Sequence, residues 1–416
     1  MKKLRKPVFA CAPAHTLYLG PGRKEFHPKK PRPGIEHYIF EAGKDCLAQV
    51  ADPAALDEAV IGNFMASRFN KQGHLGAFLP AVHESLLHKP CSRVEGACGS
   101  GGMAVSTAVK SVLADQADAV LVIGVEVQNT VKAIYGADIL AGAGHFSRER
   151  KEGHAYFFPN LFSDRAGACY EQFGRDAFRK GMAEWYALAV ENARRNPKAQ
   201  EHHNADPDLR TTGLMEPNPK AFLEHINVFD CSKVTDGASA FVVASEEGLQ
   251  KLGVAKDQAA EFASVAHAEG DITKDPTDLC RLDTTAAVAA EALGLAGIGP
   301  ADLGLLEVHD CFTVSGLLSL EAVGLADRGG AARFVLDGQT RAGGACPVNL
   351  TGGLVGFGHP TGATGVRQAA DLVLQLTRRA GDCQADFKDG KNHAMFINMG
   401  GNDKTLVSAV MRPAAP

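Results

Sequence analysis

A cysteine among small residues is the first feature of this sequence that could do chemistry. Cys98 lies in residues 94–103, VEGACGSGGM, immediately before a helical pattern that runs from Gly99 to about Gln116. Glycine permits a sharp turn and leaves the sulfur open to a large reactant, and the free N–H groups at a helix start favour thiolate over thiol. We therefore predict that Cys98 is a nucleophile on a strand–turn–helix elbow. A small buried cysteine is the structural alternative, and the density of glycine favours the functional interpretation.

A second reactive segment, Val308-His309-Asp310-Cys311-Phe312, ends an apolar strand and precedes a helix. In α/β proteins, sites are built at the carboxyl ends of strands. Strand alternation predicts that His309 and Cys311 face the same side and that Asp310 points away in a structural role. Taken alone, the segment is explained equally well by a capping aspartate beside a core cysteine.

Two glycine-rich segments follow. Residues 352–365, GGLVGFGHPTGATG, hold His359 between glycine and proline before a helix, so the imidazole is rigidly aimed. The segment does not match the dinucleotide-binding pattern, because a histidine intrudes and the later glycine is displaced. Residues 396–403, FINMGGND, place Gly400 and Gly401 between two strands. There a backbone N–H can approach a ligand oxygen, and a simple hairpin turn is the alternative.

The composition is that of a globular protein of two or three domains. The chain has 416 residues, 45% hydrophobic and 22% charged, and a net charge of −5, which disfavours nucleic acid as a partner but leaves small anions open. The ten cysteines are scattered without a CxxC pair or a zinc-ligand spacing. We therefore expect free thiols in a reducing compartment and no metal site.

The ends of the sequence carry no recognised targeting signal. The apolar run over residues 8–14 contains Pro13 and is too short for a signal-peptide core, so we predict a first β-strand there. The final RPAAP is neither a peroxisomal nor a retention tripeptide. No stretch of eighteen apolar residues exists, so we expect no membrane span and a cytoplasmic protein.

Short apolar strands alternate with amphipathic helical stretches, which predicts an α/β fold with buried sheets. Residues 129–229 break the pattern with many charges and the single tryptophan, and we interpret them as an excursion from the first half. That half comprises residues 1–128 and 230–256, and residues 257–416 form a second half of similar architecture. The predicted helices span residues 99–116, 176–195, 284–293 and 314–325 and start again near 361, and the predicted strands span residues 119–125, 238–244, 263–269, 303–309, 393–398 and 405–411.

In this order, these segments resemble the thiolase superfamily over most of the chain. SRVEGACGSGGMAV resembles its nucleophile loop and GGLVGFGHPTGATG its Gly-His-Pro stretch, with RRNPKAQ and DCSKVTDGASAFVVAS as lesser matches. The resemblance implies a thiolase-like five-layered α/β/α/β/α sandwich of two similar βαβαβαββ halves, with the loop excursion covering the substrate. It also implies a homodimer or a dimer of dimers, acyl-CoA and coenzyme A as substrates, and no metal or redox cofactor. Arg165, Arg194 and Arg195 of the excursion are candidates to meet the phosphates, although solvated surface charge is the more common role.

The sequence departs from the best-known thiolases at two places. Those enzymes have Asn-Glu-Ala-Phe where this chain has His309-Asp310-Cys311-Phe312. They also have a catalytic cysteine where this chain has Asn398, two residues before the retained Gly400. The His-Asp-Cys-Phe pattern resembles the sterol-carrier-protein type of thiolase, in which the cysteine of this motif is the acid/base. The resemblance therefore implies that Cys311 replaces the missing thiol.

The same resemblance implies a mechanism. Cys98 forms an acyl-enzyme while a 3-ketoacyl-CoA is cleaved, or takes part in the reverse Claisen condensation. His359 activates Cys98 and, with His309, binds the enolate oxygen. The N–H groups of Cys98 and Gly400 form an oxyanion hole, in which one donor is typically worth roughly 3–4 kcal/mol.

Three other functions compete with this one. Some thiolase relatives act as retro-aldolases or acyltransferases with a small OB-fold and zinc-ribbon partner protein. Cys98 argues against the retro-aldolase, which needs no acyl-enzyme, but leaves such a partner open. A non-catalytic subunit or lipid-binding scaffold would be expected to lack at least one of Cys98, His359 and Cys311, and a cysteine hydrolase would give a second thiol no role.

Overall fold

The computed structural model describes residues 2–150 and 156–415, so five residues of the predicted excursion and the last residue of the C-terminal RPAAP lie outside the described residues. The strands within these ranges are β1 (Phe9–His15), β2 (Glu58–Gly62), β3 (Cys91–Val94), β4 (Ala119–Glu126), β5 (Gly237–Ala244), β6 (Ala259–Glu269), β7 (Leu303–Glu307), β8 (His393–Gly400) and β9 (Thr405–Pro413). The helices are α1 (Ile35–Leu47), α2 (Ala66–Phe69), α3 (Ser100–Leu113), α4 (Ala133–Leu140), α5 (Phe146–Glu149), α6 (Phe157–Phe173), α7 (Arg175–Arg194), α8 (Leu209–Gly213), α9 (Glu246–Leu252), α10 (Asp283–Ala296), α11 (Thr313–Val323), α12 (Ala331–Leu336), α13 (Gly353–Gly356) and α14 (Thr364–Leu376).

The strands form one continuous sheet whose two halves meet at β1 and β6. The order is β3-β2-β4-β5-β1-β6-β9-β8-β7. In the first half β2 runs parallel to β3 and β4, and in the second half β7 runs parallel to β8. The junction is antiparallel, with Phe9 opposite Glu261 and Cys11 opposite Ala259. Each half is therefore a mixed sheet, as the predicted repeat of architecture requires.

Two helices, α3 and α14, form the central layer between the halves. Val109 of α3 and Val373 of α14 belong to one buried cluster with Phe241 of the first half and Phe396 of the second. The outer face of the first half packs on α1, where Ile39 joins Leu121 and Val242. Helix α1, the first half of the sheet and the layer of α3 and α14 are therefore three of the five predicted layers.

The outer face of the second half is covered by α10 and α11. Val288 of α10 and Leu317 of α11 belong to a cluster with Leu306 of β7 and Val410 of β9. Helices α6 and α7 of the excursion add Phe162 and other side chains to the same cluster. The molecule therefore has five layers in the order α/β/α/β/α, which confirms the predicted fold class.

Every helix and strand predicted from the sequence is present, with ends shifted by a few residues. β4 alternates between the two clusters on its faces, which is why it is apolar nearly throughout. The largest informative shift is at β7, which ends at Glu307 and not at His309. The N–H of Val308 donates to Oδ1 of Asn349 at 2.9 Å, so the chain leaves the ladder two residues early.

Helices α4 to α8 lie within the segment predicted as an excursion. Part of this segment packs on the second half: Gly181 of α7 lies so close to α12 that a Cβ there would be 2.6 Å from Cβ of Ala332. The boundaries assigned to the halves and the excursion stay predictions. None of the helices in the described ranges is both long and apolar enough to cross a lipid bilayer.

Candidate active site

The nucleophile turn joins β3 to α3. Ala97 has the left-handed φ of 54°, and the N–H of Gly99 donates to the carbonyl of Gly96 at 2.9 Å. A Cβ on Gly96 would lie 2.3 Å from the sulfur of Met103, so a larger residue there would displace the Met103 side chain. The hydroxyl of Ser100 accepts the N–H of Gly96 at 3.0 Å and closes the turn. The local sequence thus presents Cys98 at the helix start, as the glycine pattern predicts.

The structure brings the predicted side chains to one cavity of about 220 Å³. Cys98, Cys311, His309 and His359 all line it. The sulfur of Cys98 and one nitrogen from each imidazole lie within 4.8 Å of one another. These residues come from both halves of the chain, so folding assembles a site that no single segment contains.

His359 presents an unprotonated nitrogen to this cavity. Its Nδ1 lies 2.7 Å from the hydroxyl of Thr364, and that hydroxyl donates to the carbonyl of Pro360 at 3.2 Å. The hydroxyl proton is thereby used, so Nδ1 of His359 donates and Nε2 keeps its lone pair. Nε2 is buried without a hydrogen-bond partner among the described residues. Burial, with the charge of Arg367, lowers the pKa of His359 to about 3, so the ring is neutral.

His309 presents the opposite tautomer. The amide of Asn398 is oriented by the N–H of Gly102, which donates to Oδ1 at 2.9 Å. Nδ2 of Asn398 is therefore the donor, and it donates to the carbonyl of Cys98 and to Nδ1 of His309, each at 3.1 Å. Nδ1 of His309 accepts, so the proton sits on Nε2. Burial and the neighbouring His359 lower the pKa of His309, so it is a neutral N–H donor.

The two imidazoles therefore have complementary functions. Their ring centroids lie 4.9 Å apart, with planes nearly perpendicular at 86°. His359 can take a proton from Cys98, while His309 can donate a hydrogen bond to an oxygen that becomes negative. The arrangement matches what acyl transfer needs, a base beside a nucleophile and a donor for developing charge.

Asn398 sets the tautomer of His309, and its role was not predicted from the sequence. We expect Asn398→Ala to lower kcat about tenfold to a hundredfold, because loss of the amide leaves buried groups unpaired, at about 1–3 kcal/mol each, and frees His309 to change tautomer. KM should change little. Gln368→Ala is the matched control, since Gln368 is a buried amide that donates to the same strand, at the carbonyl of Ile397, 2.9 Å away. Equal losses of kcat in both variants would contradict a specific role for Asn398.

Cys98 is held as a thiol, contrary to the expectation that the helix start favours thiolate. Burial raises its pKa to about 12, and the charge of Glu126 adds to the increase. Hydrogen bonds from the backbone of Gly401 and of Cys98 itself act in the opposite direction but are weaker. The expectation is wrong because desolvation and a buried carboxylate outweigh the end of one helix. Cys98 therefore needs a proton acceptor before it can attack, and Nε2 of His359 is the candidate acceptor in the cavity.

This protonation state predicts a pH dependence for alkylation. A raised pKa means that the thiolate fraction grows through the whole neutral range, so iodoacetamide should label Cys98 roughly tenfold faster per pH unit from about pH 6 to about pH 9. His359 is neutral over this whole pH range and therefore adds no inflection to the dependence of the labelling rate on pH. Peptide mass spectrometry of the labelled residue measures the rate. A rate that levels off in the acidic part of this range would mean that a thiolate–imidazolium pair already exists.

Glu126, at the end of β4, fixes the two loops around the site. It is fully buried and accepts the N–H groups of Phe64 and Met65 at 2.9 and 3.0 Å. On the other side it accepts the hydroxyl of Thr361 at 2.9 Å and the N–H of Gly362 at 3.2 Å. The segment that carries His359 is thereby tied to the first half of the sheet. The sequence signal for this role was a single acidic residue ending an otherwise apolar strand.

Cys311 lies in the same cavity as a buried, protonated thiol. Its sulfur is 3.7 Å from the hydroxyl of Ser315, and the side chain is 8% exposed. Burial and the nearby Cys98 raise the pKa of Cys311. A thiol with a raised pKa holds its proton until a stronger base, such as a carbanion, takes it. The position and state of Cys311 suit a proton donor.

Asp310 faces away from the cavity. It accepts the indole N–H of Trp185 at 2.9 Å and the N–H of Leu354 at 2.7 Å. The carboxylate therefore fixes α7 and the segment before His359 against the end of β7. Its structural role agrees with the sequence expectation, although β7 ends earlier than the alternation argument assumed.

Gly400 packs against the nucleophile turn without lining the cavity. A Cβ on Gly400 would lie 2.2 Å from the carbonyl oxygen of Gly96, so no larger residue fits. The next residue, Gly401, lines the cavity, and its backbone hydrogen-bonds to Cys98. Gly401 is therefore a second candidate for the backbone donor that the sequence assigned to Gly400.

The arginines considered for the coenzyme A phosphates are all engaged. Arg165 is 1% exposed and donates to the carbonyls of Leu279 and Arg281, so surface charge is the wrong description for it. Arg194 donates to the carbonyl of Asn204 at 2.8 Å. Arg165 therefore ties the excursion to the second half, whereas the contact of Arg194 lies within the excursion. Arg195 is exposed and hydrogen-bonds to the side chain of Asn192, so surface charge describes it correctly.

The site also contains a set of potential metal ligands. Among the described residues, Cys98, His309 and His359 form a group whose donor atoms could bind one ion. A thiolate and two imidazoles are ligands that Zn²⁺ prefers. Such an ion would occupy the sulfur and the lone pair that acyl transfer uses, so metal binding and this chemistry exclude each other.

These features are those expected of one class of protein, the acyltransferases with a cysteine nucleophile, and Cys311 is the candidate for proton transfer. The family follows from two comparisons. Residues 35–205 match the family model "Thiolase, N-terminal domain", and residues 263–412 match "Thiolase C-terminal domain-like". An acetyl-CoA acetyltransferase of Methanothermobacter thermautotrophicus is 33% identical over 369 residues, covering 88% of this chain and 91% of that protein. The chain belongs to the thiolase family and is an acyltransferase.

Two further matches refine this placement. Sterol carrier protein 2 of Rattus norvegicus is 28% identical over 407 residues, covering 94% of this chain and 70% of that protein, in agreement with the predicted sterol-carrier-protein type. A solved structure described as "Ltp2-ChsH2(DUF35) aldolase" superposes over 100% of both chains with a TM-score of 0.76 at 18% identity. The structural match concerns the fold alone.

Proposed function

We propose that this chain cleaves a 3-ketoacyl-CoA with coenzyme A through an acyl-enzyme on Cys98, or runs the reverse condensation. The single observation that carries the proposal is the convergence of Cys98, His309, Cys311 and His359 on one cavity. Coenzyme A is a substrate, and no metal or redox cofactor is needed. The acetyl-CoA acetyltransferase relative supports the same reaction type.

In the degradative direction, Nε2 of His359 takes the proton of Cys98, and the sulfur attacks the 3-keto carbon. The bond between C2 and C3 then breaks, which leaves the acyl group on Cys98 and releases C1 and C2 as the enolate of acetyl-CoA when C2 is unsubstituted. The backbone N–H groups of Cys98 and of Gly400 or Gly401 stabilise the tetrahedral oxygen. The N–H of His309 stabilises the enolate oxygen, and Cys311 gives its proton to C2.

The second half of the cycle restores both thiols. The thiolate left on Cys311 takes the proton of incoming coenzyme A. The coenzyme A sulfur attacks the acyl group on Cys98, a new acyl-CoA leaves, and Cys98 recovers its proton from His359. Every proton that leaves one group is returned, so no outside acid or oxidant is required.

A second function is favoured by the likeness to the Ltp2-ChsH2(DUF35) aldolase. In that proposal the chain works with a small OB-fold partner and breaks a carbon–carbon bond without an acyl-enzyme. A nucleophilic cysteine would then be dispensable, whereas Cys98 is positioned beside a base. We propose the thiolase reaction as the main function, in a cytoplasmic homodimer or dimer of dimers, and treat partner dependence as an outcome to be tested.

The test uses the purified full chain with acetoacetyl-CoA and other 3-ketoacyl-CoAs, with and without free coenzyme A and with and without a chelator. We expect substrate loss only when coenzyme A is present, no effect of the chelator, and a trapped acyl group on Cys98. Turnover that needs a co-purifying small subunit would support the partner-dependent function. Acyl release without coenzyme A would support a cysteine hydrolase.

A further inference from the structure

The cavity over the two sulfurs is walled by aromatic rings. Phe162 and Phe312 stack with their centroids 4.4 Å apart, and Tyr156 and Phe222 meet edge to face at 5.4 Å. All four of these residues line the cavity, together with Phe158. Four of the five come from the segment predicted as an excursion, so this segment supplies the wall that a substrate would contact.

These rings share one cavity with both reactive sulfurs. Phe158 packs against the small cluster that contains Ala97, the residue before the nucleophile. It also packs against the core cluster that contains Cys311 and Phe312. An acyl group bonded to Cys98 and facing Cys311 therefore lies among ring faces and edges.

The cavity offers no free charge to an acyl group. Lys233 is the only Lys, Arg, Asp or Glu that lines it within the described residues, and its ammonium is paired with Glu201, which is 2% exposed. His309 and His359 are neutral. A carboxylate on the acyl group would find no uncompensated cation here and would pay the cost of desolvation. The cavity therefore selects against a charged acyl group.

The cavity, which must also receive the thioester end of the substrate, has room for a compact ring. A protein cavity of roughly 150 Å³ holds benzene, and this cavity measures about 220 Å³. Aromatic walls interact with a flat ring through offset-stacked and edge-to-face contacts, which an unbranched chain cannot make. The volume admits a compact ring, and the aromatic walls favour a flat one.

We infer that the preferred acyl group is neutral, apolar and ring-bearing, with the ring close to the 3-keto carbon, an inference that rests on the proposed function. One methylene in an apolar pocket changes kcat/KM by roughly tenfold or more. A phenyl group in place of the terminal methyl of acetoacetyl-CoA should therefore raise kcat/KM by at least about tenfold.

The experiment compares three substrates of the same enzyme, each with free coenzyme A. These are acetoacetyl-CoA, 3-oxo-3-phenylpropanoyl-CoA and 3-oxohexadecanoyl-CoA. We expect the phenyl substrate to have the highest kcat/KM. Equal or higher kcat/KM with either of the other two overturns the inference while leaving the thiolase reaction intact. No coenzyme-A-dependent cleavage of any of the three contradicts the proposed function itself.

A pair of variants on α4 tests the cavity directly. Ala137 lines the cavity, whereas Ile134 on the same helix is 47% exposed. Ala137→Phe should lower kcat/KM for the phenyl substrate by about tenfold or more and change that for acetoacetyl-CoA far less. Ile134→Phe should leave both values within about twofold. Equal losses on both substrates in Ala137→Phe, with an unchanged melting temperature, would mean that the acyl group binds elsewhere.

Discussion

Cys98→Ala is expected to lower kcat by about four orders of magnitude or more, the largest effect of any single substitution in this protein. Removal of the nucleophile from a coupled catalytic set typically costs up to roughly a millionfold, and no neighbouring group can take its place. Cys311 is buried and protonated, and its sulfur lies 3.7 Å from the hydroxyl of Ser315, which is not a base. Steady-state assay with a 3-ketoacyl-CoA and coenzyme A measures the loss.

The control for this variant is Cys91→Ala. Cys91 lies on β3, the strand that leads into the same turn, and it is partly exposed. Its replacement should leave kcat within about twofold. If Cys98→Ala retained a tenth of the activity, the acyl-enzyme route would be excluded and a route without covalent catalysis would have to replace it.

Cys311→Ala is expected to lower kcat about a hundredfold to ten-thousandfold, which is the range for removal of a positioned acid or base. The acylation step should survive, because Cys98 and His359 remain in place. A reactive aryl thioester of acetate, whose leaving thiol needs no proton from the enzyme, should still acetylate Cys98 in this variant. The two substitutions thus differ in the reaction step that each blocks as well as in the size of the loss of kcat.

The control for Cys311→Ala is Cys280→Ala. Both thiols belong to the core cluster of the second half, but Cys280 does not line the cavity. If both variants lower the melting temperature to a similar extent but only Cys311→Ala lowers kcat strongly, the loss of kcat is due to catalysis and not to packing. Normal turnover in Cys311→Ala would contradict the assignment of the acid and base.

Much of the site could be predicted because residue types such as glycine and proline determine its backbone geometry. The turn at Cys98 packs on Gly400, where a Cβ would lie 2.2 Å from the carbonyl oxygen of Gly96, and the rigid segment around His359 uses glycine and proline. Apolar strands buried on both faces, such as β4, fix the layers. These are local rules, so a sequence read without a structure reveals them.

The remaining features depend on contacts between distant segments. The tautomer of His309 is set by Asn398, and Asn398 is oriented by Gly102 in the other half of the chain. The protonation of Cys98 was predicted in the wrong direction because the helix start is local, whereas burial and the carboxylate of Glu126 are products of the tertiary fold. Sequence spacing carries no information about either.

The central claim is that one sulfur holds the acyl group while another moves the proton. Cys311→Ala treated with the aryl thioester of acetate, digested and mapped by mass spectrometry tests it most directly, because the acyl group cannot proceed further in that variant. We expect the acetyl group on the peptide that contains Cys98, in near-stoichiometric amount, with release by coenzyme A far slower than in the unmodified sequence. An acetyl group found on any other residue, or an unlabelled Cys98, would contradict the account.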